Sequence, residues 1–299
     1  MDRRDFLMGA IMGAGGMGAL SAGGGGAGAA GAPQQQLEVE LKLSSQEWLV
    51  PGETLRDKVL KLEEWGAVGV ELGGGGLPGR VDEVRRALEG TGVGLSAICA
   101  GYAGVPISPD AVVRRQATDS IKEILTAAGE LASPGLIVVP AFNQHEQLGG
   151  REGREALLEL LREVGEHAAD HGTRVLLEPL NRTEAFFLRQ LADAASICRD
   201  ADSPGVGMMG DFYHMHREET SDLGAFISAG GYLHHVHLAS RTRKLPGQDE
   251  RSFVDGFRGL KMIGYRDYCS LECGIEGDPE VEIPKSFGFL REQWQTARA

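Results

Sequence analysis

The sequence predicts a single (β/α)8 barrel over residues 37–299, and three observations lead to it. Runs rich in Val, Ile and Leu alternate with helical patterns of roughly 12 to 20 residues. The alternation occurs eight times within about 260 residues, close to the size of one such barrel. A doubly wound open sheet would have fewer units.

The first expected strand, Leu37–Leu43, alternates apolar and charged residues with the period of a strand. The other seven, Gly69–Leu72, Gly94–Cys99, Gly135–Pro140, Arg174–Glu178, Gly205–Gly210, His235–Ala239 and Tyr268–Glu272, are short runs of mainly apolar residues, as expected of parallel strands buried on both faces. The intervening helices are amphipathic. Leu55, Val59, Leu60, Leu62 and Trp65 fall near one stripe, and Leu157 to Val164 repeats the pattern. Gly66, Gly92, Gly172 and Gly264 each follow a helical pattern, where a left-handed cap is expected. Gly73–Gly76 reads as a flexible loop after the second strand, weak evidence for phosphate binding.

Eleven of the 44 glycines lie in the first 36 residues. They follow Arg3-Arg4-Asp5-Phe6-Leu7 and end in small-residue triplets such as Ala27-Gly28-Ala29. The layout resembles a twin-arginine signal peptide over residues 1–32, so the mature protein is expected to be exported to the periplasm or beyond. No other stretch approaches the roughly 20 apolar residues of a membrane span. The net charge of -13, from 43 acidic and 30 basic residues, is the wrong sign for binding nucleic acid. Cys99, Cys198, Cys269 and Cys273 are too scattered for a disulfide scaffold; Cys269 and Cys273 are expected to share a face of the last strand, beyond bridging reach.

Active-site groups of such barrels lie at the C-terminal strand ends. Four expected strands carry a metal-ligating residue there: Glu178, Asp211, His237 and Glu272. A carboxylate directly after an apolar strand is costly unless paired, protonated or bound to a cation. Three carboxylates and one imidazole suit Mn²⁺, Mg²⁺ or Co²⁺ better than a thiolate zinc site would. Glu71 ends the second strand and is expected either to form a structural salt bridge or to reach a substrate hydroxyl. His235 faces the same side as His237 and is either a buried barrel histidine or a support for the ligand. Trp48, Phe142 and Tyr213 are expected to wall the pocket or pack beside it.

Glu178-Pro179-Leu180-Asn181-Arg182-Thr183-Glu184, Asp211-Phe212-Tyr213-His214 and His235-Val236-His237 followed by Arg243 and Pro246-Gly247 form a recognisable set, with the four ligands 33, 26 and 35 residues apart. The chain resembles the sugar phosphate isomerase/epimerase superfamily with the xylose isomerase-like barrel. In its site motifs it is similar to ketose 3-epimerases of the D-tagatose/D-psicose type. The resemblance implies that Glu178, Asp211, His237 and Glu272 hold one divalent ion, Mn²⁺ first, with Co²⁺, Mg²⁺ or Zn²⁺ as alternatives. It further implies that Glu178 and Glu272 are the acid/base pair, and that Glu184, His214 and Arg243 bind substrate hydroxyls. One departure concerns the substrate: those enzymes commonly place an aromatic just after the last ligand, where this chain has Cys273-Gly274.

The expected function is therefore metal-dependent isomerisation or epimerisation of an unphosphorylated sugar through an enediolate. The alternative within the same site is elimination, by a dehydratase or lyase acting on an inosose or a 3-keto-glycoside. An endonuclease IV-like nuclease is disfavoured by the charge, and a non-catalytic sugar binder by the presence of both glutamates. Besides the small-molecule sugar, the partners left open are an exported sugar oxidoreductase and a second copy of the chain in a homo-oligomer.

Overall fold

The computed structural model describes residues 39–298, so the leader expected over 1–32 lies outside the described residues. The strands are β1 (Lys42–Gln46), β2 (Gly69–Gly73), β3 (Gly94–Cys99), β4 (Leu136–Val138), β5 (Val175–Leu177), β6 (Val206–Asp211), β7 (Leu233–Leu238) and β8 (Tyr268–Leu271). Each pairs in parallel with the next, and β1 pairs with β8 to close the barrel. Around them lie α1 (Leu55–Glu64), α2 (Val81–Leu88), α3 (Ala111–Glu130), α4 (Gly150–Asp170), α5 (Leu191–Ala201), α6 (Phe212–Glu218), α7 (Asp222–Ala229), α8 (Val254–Met262) and α9 (Pro279–Thr296). The expected (β/α)8 architecture is present, with the short α6 added after β6. No described helix is long and apolar enough to cross a membrane.

Seven strands begin and end within two residues of expectation; β1 does not. The alternation from Leu37 to Leu43 pointed to a strand there, whereas the ladder runs through Lys42–Gln46 and pairs Ser44 with Gly69, Ser45 with Val70 and Gln46 with Glu71. Inside a closed barrel, small polar side chains can be buried if they satisfy one another. Ser44 Oγ donates to Ser96 Oγ at 2.6 Å, both residues being inaccessible to solvent. A hydrophobicity pattern does not register such a strand.

Packing separates into two layers. Ala97, Ile137, Leu176 and Met209, from β3 to β6, meet inside the barrel, while a larger apolar layer lies between strands and helices. α1 starts at Thr54, whose hydroxyl accepts from the Asp57 N–H while the Asp57 carboxylate accepts from the Thr54 N–H. It buries Leu55, Val59 and Leu62. Leu60, expected in the same stripe, is 43% exposed because it lies about 100° round the helix from Val59. The α4 stripe is buried from Leu157 to Val164 as expected.

Gly66, Gly172 and Gly264 have the left-handed backbone expected of caps. After α2 it is Gly90, at φ 71°, that turns the chain, because the helix ends at Leu88; Gly92 instead donates its N–H to Glu63 Oε1. The glycine run is not simply a flexible loop. A Cβ on Gly74 would lie 2.0 Å from the Ala100 carbonyl oxygen, so the β2 loop packs backbone to backbone against the β3 loop. β8 ends at Leu271, which places Cys273 beyond the strand; Cys269 and Cys273 are both free and buried.

Candidate functional site

β5, β6, β7 and β8 deliver Glu178, Asp211, His237 and Glu272 to one point at the C-terminal end of the barrel. One ligand atom from each lies within 4.8 Å of the others. His237 Nδ1 is 3.3 Å from Glu272 Oε2, 3.7 Å from Glu178 Oε1 and 4.0 Å from Asp211 Oδ2. Asp211 uses Oδ1 to cap α6, accepting the Tyr213 N–H at 2.6 Å, and its Oδ2 is left for the centre. Asp211 Oδ2 and His237 Nδ1 are buried without a hydrogen-bond partner. Native interiors rarely leave such atoms unpaired, and here both face the same cluster.

The electrostatics suit a site for a positive charge. Burial pushes Asp211 well above the usual carboxylate range, and the neighbouring Glu272 adds to the shift. Burial likewise raises Glu178, with Glu272 contributing. Burial also opposes ionisation of Glu272, but the charge and hydrogen bond of His237 outweigh it and hold this carboxyl at about 2. At His237, burial disfavours the charged ring, yet Glu71 and Glu272 overcome it and raise the imidazole well above its ordinary value. Three carboxylates crowded on one imidazole either take up protons or take up a cation. The donor set and the two unpaired atoms fit a divalent ion.

The expected substrate-binding residues border this cluster. Glu184 accepts from Arg243 Nη1 at 3.2 Å, and Arg243 Nη2 reaches Glu272 Oε2 at 3.3 Å. His214 Nδ1 accepts from Asn181 Nδ2 at 2.8 Å and from the Asn181 N–H at 3.2 Å. Its Nε2 therefore carries the proton and points toward Asp211 Oδ2, 3.6 Å away. Burial lowers the His214 pKa to about 4, so the ring is neutral. His216, two residues on, is exposed. A cavity of about 360 Å³ opens above the cluster between Gln46, Trp48, Arg243, Glu272, Cys273 and Gly274. Trp48 thus walls the pocket. Tyr213 lies beneath the Arg243 guanidinium, and Phe142 packs with Val139, Leu180 and Ala185.

Two residues enter the site that sequence reasoning missed or underrated. Gln46, at the end of the shifted β1, donates from Nε2 to Glu71 Oε1 at 2.7 Å and to Glu272 Oε1 at 3.1 Å, and its Oε1 accepts from Trp48 Nε1 at 2.5 Å. Glu71 makes the expected salt bridge with His237, whose charged form it favours, and accepts a hydrogen bond from His235, whose ring burial keeps neutral. A buried carboxylate on β2 and two histidines on one face of β7 were the only signals available.

The family model described as "Xylose isomerase-like TIM barrel" matches residues 59–293. The chain is 30% identical over 262 residues to the 3-dehydro-D-guloside 4-epimerase of Escherichia coli K12, covering 84% of this chain and 99% of the relative. It is 28% identical over 236 residues to the D-psicose 3-epimerase of Ruminiclostridium cellulolyticum, covering 76% and 80% of the two chains. The apo crystal structure of an E. coli 3-keto-D-glucoside 4-epimerase superposes with a TM-score of 0.78 at 29% identity, over 85% of this chain and 100% of that one. These relatives are sugar epimerases, and epimerases are isomerases. On the extent of these matches and its closed eight-stranded barrel, the chain belongs to the xylose isomerase-like TIM barrel family.

Proposed function

We propose that this protein is a metal-dependent epimerase that moves the proton on a carbon next to a sugar ketone, and that its substrate is an unphosphorylated 3-keto-hexoside. The observation that carries the reading is the convergence of Glu178, Asp211, His237 and Glu272 with unpaired ligand atoms on Asp211 and His237. The nearly full-length match to an enzyme named for a 3-dehydro-guloside supports the substrate class over a free ketose, as does the absence of an aromatic at Gly274. Among the described residues Arg243 is the one cation lining the mouth, and it is held by Glu184 and Glu272, which favours a neutral sugar over a phosphorylated one.

A divalent ion held by the four ligands, Mn²⁺ first, would supply Lewis acidity to a chelated ketone and neighbouring hydroxyl. Glu178 and Glu272 reach the centre from β5 and β8, three strands apart around the ring, so their carboxylates approach a bound sugar from different sides. Glu272, favoured as a carboxylate by His237 and oriented by Gln46 and Arg243, takes the proton, and Glu178 returns one from the other side. Return to the same carbon inverts it. Glu184, Arg243 and the His214 Nε2–H are placed to hold the hydroxyls.

Incubation with a 3-keto-glucoside in D₂O, followed by NMR, tests the reading. Deuterium next to the ketone with formation of the epimer is expected, and Glu178→Gln and Glu272→Gln should each slow exchange by about 10²-fold or more. Release of water or of the aglycone would replace epimerisation by elimination. Residues 1–32 are proposed to direct export through the twin-arginine pathway, beside an exported oxidoreductase that would generate the ketone. Replacing Arg3 and Arg4 by Lys should then leave the protein unprocessed inside the cell.

A further inference from the structure

We infer that Glu71 is a positioning residue for the cation site: it holds His237 and, through Gln46, Glu272 in their ligating geometry. The inference rests on the metal-site reading above. Glu71 is 1% exposed and accepts from three donors: His235 Nε2 at 2.8 Å, His237 Nε2 at 3.0 Å and Gln46 Nε2 at 2.7 Å. A neutral imidazole that donates from Nε2 has its Nδ1 lone pair free, the form that binds a cation, and His237 Nδ1 is the atom facing Glu178, Asp211 and Glu272. The Gln46 amide that donates to Glu71 also donates to Glu272 Oε1. One carboxylate on β2 thereby aims two of the four ligands, from strands β7 and β8.

Stability alone does not account for a charged acceptor here. A fourth carboxylate beside three others adds repulsion. A negative charge behind the imidazole instead raises its basicity toward a cation at Nδ1. Glu71, His235 and His237 also form a second group of the right composition to hold an ion. That group shares His237 with the first, and its nitrogens and oxygens already lie at hydrogen-bond distances, so it serves as the support of the first group rather than as a separate site.

The test is Glu71→Gln, which keeps the shape but offers one acceptor where the carboxylate offers two. Mn²⁺ affinity is measured by calorimetry or electron paramagnetic resonance, and the His235 and His237 Nε2–H signals by ¹⁵N NMR of the Zn²⁺-loaded protein. The expected result is a dissociation constant raised roughly 10- to 100-fold, with at least one protected imidazole N–H signal lost. Circular dichroism checks folding; should Glu71→Gln not fold, Glu71→Asp, which draws the carboxylate back from the rings, is expected to weaken binding in the same direction. A folded variant with Mn²⁺ affinity within threefold of the unmodified protein overturns the inference, whatever its melting temperature. If the unmodified protein binds no divalent ion, the metal-site reading itself fails, and the inference falls with it.

Discussion

Glu218, at the end of α6, ties the loop that carries Glu184 to the rest of the site, and its removal can be given a magnitude. Its side chain is 1% exposed, and it accepts from the Arg182 N–H at 2.8 Å, Arg182 Nε and Nη2 at 2.9 Å each and Arg189 Nη1 at 3.0 Å. The Arg182 hydrogen bond outweighs burial and holds the carboxyl at about 2, against an ordinary 4.5. At about 1.4 kcal/mol per pH unit this amounts to roughly 3–4 kcal/mol of stability at neutral pH. Arg182 is 60% exposed, and water screening there reduces the expected figure to about 2–3 kcal/mol. Because the pKa is depressed in the fold, the stabilisation is fully present above 4.5 and is lost as the pH falls toward 2. Roughly two-fifths is gone by about pH 3.5. Urea unfolding of Glu218→Gln should therefore show a deficit of about 2–3 kcal/mol at pH 7 that narrows at pH 3.5. A deficit under about 0.5 kcal/mol, the level of an ordinary surface substitution, or one independent of pH, would refute the reasoning.

Other outcomes follow from the same geometry. Arg243→Lys keeps the charge but loses the fork that spans Glu184 and Glu272, so kcat/KM should fall roughly 10- to 100-fold; a change under twofold would remove Arg243 from the site. Gly74→Ala forces a methyl onto the Ala100 carbonyl, whereas Gly73→Ala meets nothing within 4 Å. Calorimetric melting should show the first destabilised by at least about 2 kcal/mol and the second nearly unchanged, and equal effects would contradict the packing of this loop. Chelation should lower the thermal midpoint. Mn²⁺ at about 100 times its dissociation constant should restore about 2.7 kcal/mol, and a midpoint indifferent to metal would count against the site.

Much of the barrel was legible because its signals are local. An apolar run ending in a carboxylate is readable residue by residue, which is how Glu178, Asp211 and Glu272 stood out, and two histidines at alternate positions of β7 must face the same way. The family motifs around Glu184, His214 and Arg243 were also contiguous. The elements that were missed depend on distant neighbours. Leu37–Leu43 has a stronger alternation than Lys42–Gln46, yet the latter forms β1 because Ser44 and Ser96 satisfy each other inside the barrel.

By itself, then, the sequence determined the repeating strand–helix order and the chemistry at four strand ends, since hydrophobic period and residue type need no partner to be read. Only the tertiary structure decided which atoms those residues present. Barrel closure pairs β1 with β8 and so brings Gln46 to Glu272, 226 residues away. It also sets Glu71 behind His235 and His237, from the other side of the chain's order. Which ring nitrogen is free, which carboxylate oxygen is unpaired and whether a glycine is loose or close-packed are properties of those contacts. They arise from a closed ring of strands, in which the first and last meet, and no local pattern encodes that meeting.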